Sequence, residues 1–322
     1  MTKYDDTAYA YAVGRVQAVE RTLIDAGKLE QMISARSFDE AYRLLSEAGY
    51  DTSLPAEAAL KNALDAAYAL IADLAPEKKV MDVFLLKNDY HNLKVLIKQE
   101  FLRTDGVQYN DILIANGSMP VDDLAAAFVN RQFEKFHPIM RQAVDDAIAM
   151  MQTVGDPQQI DLILDRALYR QMAALADELQ NEFVAGLVAR MADTTNIRTY
   201  ARVRRMGKDA AFLESALLPC GDLPASIFSE SADGFAERLS TTRYAEIVAD
   251  GIEIAPGILE KRCGRLLMDY AMEARYVSLG LEPLVGYLLK KEEEVKQVRV
   301  VLVGKQNGLD AAAIRERIGA DG

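Results

Sequence analysis

The sequence predicts an all-α protein built from three similar helical units, and three observations carry that prediction. No segment longer than a few residues alternates apolar with polar side chains, the pattern of a half-buried strand. Apolar residues instead recur at steps of three, four and seven, the period of an amphipathic helix. The chain also repeats itself: Asp89-x-x-Asn92-Leu93-Lys94 returns as Asp193-x-x-Asn196-Ile197-Arg198 and, loosened, as Glu294-x-x-Gln297-Val298-Arg299. Asn92 and Asn196 are 104 residues apart, and Asn196 and Gln297 are 101 apart. A second landmark, Leu113-x-x-x-Gly117-x-x-Pro120, recurs as Leu217-x-x-x-Gly221-x-x-Pro224, again 104 residues on. Two landmarks sharing one offset imply a structural repeat, with units expected at 1–120, 121–224 and 225–322.

From the N-terminus, residues 7–24 place Tyr9, Val13, Val16 and Leu23 at helical steps, and Gly27 is expected to end that opening helix or closely follow its end. Ser37-Phe38-Asp39-Glu40 is a capping box that starts a helix stopped by Gly49. Pro55 suits the first turn of the Ala- and Leu-rich helix 56–74, which Pro76 breaks. The next helix, 80–101, puts Val83, Leu86, Tyr90, Leu93 and Ile97 on one face and carries the first copy of the motif. Asn116 to Pro120 is a turn into a helix at 121–136, followed by helices at 139–152 and within 158–192. The second copy lies at 193–206, and Pro219 to Pro224 is a loop before short helical pieces at 226–240. A helical pattern runs from Pro256 to Gly280, expected as a left-handed stop. Glu282-Pro283 opens the last long helix, whose Leu284, Leu288, Val295, Val298 and Leu302 form a stripe interrupted by Lys291.

Half of the 322 residues are hydrophobic and 27% are charged, a globular composition with ample material for a core. The net charge of −12 repels nucleic acid and anionic lipid. Two distant cysteines, Cys220 and Cys263, read as free thiols of a reducing compartment. The opening residues lack a basic region leading into an apolar one, and no run of apolar residues is long enough to span a bilayer. A cytoplasmic location follows as the expectation, with no bound nucleic acid.

Candidate chemistry is sparse. Gly304-Lys305 resembles a phosphate loop, but Arg299 and Gln306 stand where that loop needs a glycine and a hydroxyl, so a helix end is expected. His91 and His137 are the only histidines and have no partner motif. Glu292-Glu293-Glu294 cannot converge on one ion, because consecutive helix residues point in different directions, and is read as a solvated face. No catalytic, cofactor or metal site is expected. The repeated motif is weighted as structural, since a buried acid or amide must be hydrogen-bonded and so fixes helix packing; the alternative is that its three copies line one partner surface. The positions concerned are Asp89, Asn92 and Lys94, then Asp193, Asn196 and Arg198, then Glu294, Gln297 and Arg299. A basic stretch from Thr194 to Lys208 sets Arg198, Arg202 and Arg205 on one stripe, either to pair with acids around Glu178 and Glu182 or to dock a partner.

Four blocks then carry a resemblance: Tyr9-Ala10-Tyr11-Ala12-Val13-Gly14-Arg15, Lys87 through Lys94, Asp161-Leu162-Ile163-Leu164-Asp165-Arg166, and Glu282 through Leu309 ending in Leu302-Val303-Gly304-Lys305-Gln306-Asn307-Gly308-Leu309. Together they resemble the C subunit of the V-type or A-type rotary ATPase, the counterpart of the eukaryotic d subunit, over residues 9–318. The resemblance implies a funnel of three similar helical lobes with pseudo-threefold symmetry. It also implies a non-catalytic rotor part, peripheral to the membrane, that links the central-stalk subunits to the membrane ring of proteolipid c-type subunits. A helical-repeat scaffold of another assembly is the alternative, and would lack the Leu302–Leu309 block.

Overall fold

The computed structural model describes residues 6–102 and 112–318. In chain order the helices are α1 (Ala10–Glu20), α2 (Ala26–Ser34), α3 (Phe38–Leu44), α4 (Ala56–Leu74), α5 (Val80–Leu102), α6 (Val121–Val129) and α7 (Pro138–Thr153). They continue with α8 (Pro157–Leu179), α9 (Glu182–Arg205), α10 (Ala210–Ala216), α11 (Ala232–Leu239), α12 (Pro256–Glu273), α13 (Glu282–Gln306) and α14 (Ala311–Ile318). No strand occurs among the described residues, as the sequence predicts.

Local chemistry sets the boundaries. Ser37 Oγ accepts from the Glu40 amide at 3.2 Å and Glu40 Oε2 from the Arg36 amide at 2.8 Å, which forms the capping box. Gly49 has φ of 82°, a left-handed conformation open to a residue without Cβ. The opening helix is shorter than expected, because the amides of Thr22 and Leu23 turn back to Val19 and Glu20. Asp25 then caps a new helix by accepting from the Lys28 amide at 2.8 Å, so Gly27 lies inside α2 and ends nothing. The helix expected over 121–136 stops at Val129, where Arg131 takes a positive φ of 56°. Between α8 and α9 the chain reverses through Gln180, with φ of 50°, and Asn181, whose side chain caps α9. The pattern read to Gly280 ends as helix at Glu273, and Gly280, with φ of 148°, sits in the turn to α13 outside the left-handed helical region.

The chain divides into two compact units: Lys78–Thr241 with Gly251–Glu253, and a discontinuous unit of Met1–Glu77, Thr242–Asp250 and Ile254–Gly322. In the first, α8 packs on α5, α7 and α9, and the stripe Val83, Leu86, Tyr90, Leu93, Ile97 is buried as its spacing predicts. Tyr200 of α9 stacks on Phe235 of α11 with ring centroids 4.0 Å apart. In the second, α13 packs on α1, α3, α4, α12 and α14. Its Val295, Val298, Val301 and Leu302 share one core with Met32, Ile33, Leu45, Tyr50 and Leu60. Gly304 is where α14 crosses α13: a Cβ there would lie 2.7 Å from Ile314 Cγ1.

Candidate functional site

The repeated motif is a side-chain clamp, and the two landmarks that share an offset are its two halves. Asp89 and Asn92, one turn apart on α5, are both fully buried. Asn92 grips the backbone of Ile114 with both ends of its amide, donating to the carbonyl and accepting from the N–H at 2.8 Å each. Asp89 Oδ2 accepts from the Ser118 amide at 2.9 Å and from the Ser118 hydroxyl. On α9, Asn196 grips Leu218 in the same way, at 2.9 and 2.7 Å, and Asp193 accepts from the amides of Asp222 and Leu223 at 2.9 and 3.2 Å. The glycine of each loop makes room for the carboxylate: a Cβ would stand 1.9 Å from Asp89 Oδ1 at Gly117 and 2.0 Å from Asp193 Oδ1 at Gly221. Burial pushes the Asp89 carboxyl up to about 6, while the Ser118 hydroxyl and amide and the Met119 amide pull against it.

The third copy keeps the carboxylate and changes its partners. Glu294 is buried, and accepts from the Ile24 amide at 2.6 Å, the Tyr50 hydroxyl and Lys291 Nζ, each of the last two at 2.5 Å. The Lys291 ammonium also lies 4.3 Å from the centre of the Tyr50 ring. Burial and the facing Glu294 carboxylate raise the Tyr50 phenol far above its ordinary range. Glu292 accepts from the Tyr68 hydroxyl, and burial, then the same kind of carboxylate neighbour, raises that phenol too. The expectation of a solvated face at Glu292-Glu293-Glu294 is therefore wrong at Glu294 and Glu292. Three consecutive helix positions sweep some 200° of the helix surface, so on a helix packed from several sides one or two must face inward. Gln297, unlike Asn92 and Asn196, grips no loop among the described residues; its amide donates to Glu293 at 3.1 Å.

The motif's cation joins neighbouring helices. Lys94 pairs with Asp165 of α8 at 2.6 Å, and Arg299 sets its Nε 3.1 Å from both oxygens of Glu57 on α4. Arg198 donates to the Thr194 carbonyl at 3.3 Å and the Thr195 hydroxyl at 3.0 Å on its own helix, and its charge also acts on Tyr169 of α8. That separates it from the stripe sought in the sequence: Arg198 is half-buried, while Arg202, Arg204 and Arg205 are exposed at the end of α9. Glu178 pairs with Lys79 at 2.8 Å, and Glu253 lies 4.0 Å from Arg204. Arg204 also lies over the Tyr200 ring, 5.6 Å from its centre.

The look-alikes of catalytic sites resolve into structure. Lys305 donates to the Ala35 carbonyl at 2.6 Å, and the glycine before it serves helix crossing. His137 Nδ1 caps α7 by accepting from the Ile139 amide at 3.3 Å. No helix among the described residues is long and apolar enough to cross a membrane.

Helices locked to their loops by buried side-chain clamps are the geometry of a structural component. The chain belongs to the ATP synthase (C/AC39) subunit family, whose model matches residues 12–317, and is thus a non-catalytic subunit of a rotary ATPase, with other subunits of that complex as its partners. It is 24% identical to the C subunit of the V-type sodium ATPase of Enterococcus hirae, over 94% of this chain and 95% of the relative. It is also 24% identical to the C subunit of the A-type ATP synthase of Methanocaldococcus jannaschii, over 97% and 86% of the two chains. The corresponding protein of Methanothermobacter thermautotrophicus is 22% identical over 96% and 87%.

Proposed function

We propose that this chain is the central-stalk part of a V-type or A-type ATPase, a socket that links the stalk to the membrane rotor ring and carries torque between them. It sits at the cytoplasmic face, peripheral to the membrane, as three helical units (1–120, 121–224, 225–322) set as a funnel about a pseudo-threefold axis. The observation that carries the reading is the clamp, present twice in full and once in altered form, in a chain that matches the family over nearly its whole length. A torque coupler has to be stiff. Close-packed helices joined to their loops by buried, charge-assisted hydrogen bonds meet that demand. Complexes assembled without this chain should hydrolyse ATP but fail to drive ion transport; coupled transport in its absence would overturn the proposal.

The exposed end of α9 is the proposed docking face for a stalk or ring subunit. Arg202 and Arg205 supply it, with Arg198 behind them as support for the helix. Arginine forks suit carboxylates and free helix-end carbonyls of a partner. Arg202→Glu with Arg205→Glu should weaken assembly more than tenfold at low salt, by less as salt is raised, while leaving the isolated chain folded, and an affinity equal to that of the natural chain across a salt titration would rule this face out.

A further inference from the structure

We infer that an open groove between α12, α13 and α14 binds an extended, acidic segment of another subunit. The groove has a volume of about 840 Å³, and Gln297 stands on its α13 wall. In the two complete clamps the amide at this position holds the N–H and C=O of one loop residue together, Asn92 at Ile114 and Asn196 at Leu218. Each of those loops lies 22 residues downstream of its amide. Gln297 belongs to the same repeat, yet among the described residues its amide is used only toward Glu293, and its other side opens on the groove. Among the described residues, the third unit thus presents the recognition group with no loop backbone upon it.

Two further features fit a peptide backbone of negative charge. Five of the charged side chains that line the groove are cationic and three are acidic, in a protein of net charge −12. Lys261 and Arg265 come from α12, Lys296 from α13 and Arg317 from α14. Gly257 and Gly264 of α12 also line the groove, and a Cβ at either would meet nothing within 4 Å. Packing inside this chain therefore does not call for glycine there, whereas the close approach of a second backbone does. An amide able to reach N–H and C=O together, with two glycines and five cations lining the same groove, suits extended-segment recognition.

The inference rests on the chain being a subunit of an assembled rotary ATPase, and the test separates the two. A benzophenone-bearing amino acid in place of Val300, which lines the groove, is built into the chain and the purified ATPase is irradiated. The expected result is a cross-link to another subunit, mapped by mass spectrometry to an acidic segment. It should fall several-fold when Gln297→Leu and Arg317→Glu are added, with the chain still present in the complex. Cross-links confined to this chain, its residues 319–322 included, would overturn the inference, as would no cross-link or one indifferent to the two substitutions. Absence of the chain from the purified ATPase would overturn the underlying reading instead.

Discussion

At the scale of single residues, the side chains that matter most are the ones that hold backbone. Replacing Asn196 with Leu strands both the N–H and the carbonyl of Leu218 in a buried site. The expected loss is about 3 kcal/mol in urea unfolding, from two unsatisfied groups at roughly 1–3 kcal/mol each. Asp89 adds a pH dependence whose sign follows from its shift. Its carboxyl titrates at about 6 in the fold against an ordinary 3.8, so the stability it contributes is full below pH 4 and is lost as pH rises through 6. Relative to Asp89→Asn, the natural chain should lose roughly 2 kcal/mol between pH 4 and pH 7, as measured by paired denaturation curves. The sequence shows these residues clearly, because a shared offset of 104 ties Asp, Asn and Gly together. It does not show that the glycine exists to admit the aspartate, since the two are joined only in space.

At the scale of elements, α13 shows what hydrophobic periodicity leaves out. Its stripe from Leu284 to Leu302 is legible, but its charged run, Lys290 to Glu294, faces neighbours on several sides. Lys290 pairs with Glu20, Lys291 with Glu294, and Glu292 takes a proton donor from Tyr68. A helix packed all round buries positions that an amphipathic helix would leave wet, so the period alone cannot assign them. Short helices with a brief apolar signal, such as α2 and α10, escape the same reasoning. Glu294→Gln leaves Lys291 charged and unpaired in a buried site, and should cost about 3–5 kcal/mol with loss of hydrogen-exchange protection at the Ile24 amide. Adding Lys291→Met should recover most of that loss; if the double variant is no more stable than the single one, the pair is not what holds α13.

At the scale of the whole molecule, the all-helical class was legible from the missing alternation, whereas the joining of the first helices and α13 in one core was not, because sequence order hides which distant segments meet. Residues 1–77 place Met32, Ile33, Leu45, Tyr50 and Leu60 in a core whose other half is α13. A fragment of residues 1–77 should therefore stay largely unfolded by circular dichroism, and gain helix when residues 254–322 are added in trans; a stable fold of the fragment alone would contradict the shared core. That shared core also bears on the order in which the protein is made. A ribosome delivers Tyr50 some 244 residues before the Glu294 that accepts its hydroxyl proton. At about 5–20 residues per second the wait is on the order of tens of seconds. The continuous stretch Lys78–Thr241 can fold as it emerges, while the first α-helices of the chain must be kept from wrong partners until the last long one arrives. Nascent chains of this protein should thus need chaperone protection at their oldest end, and translation paused before α13 should be where aggregation begins.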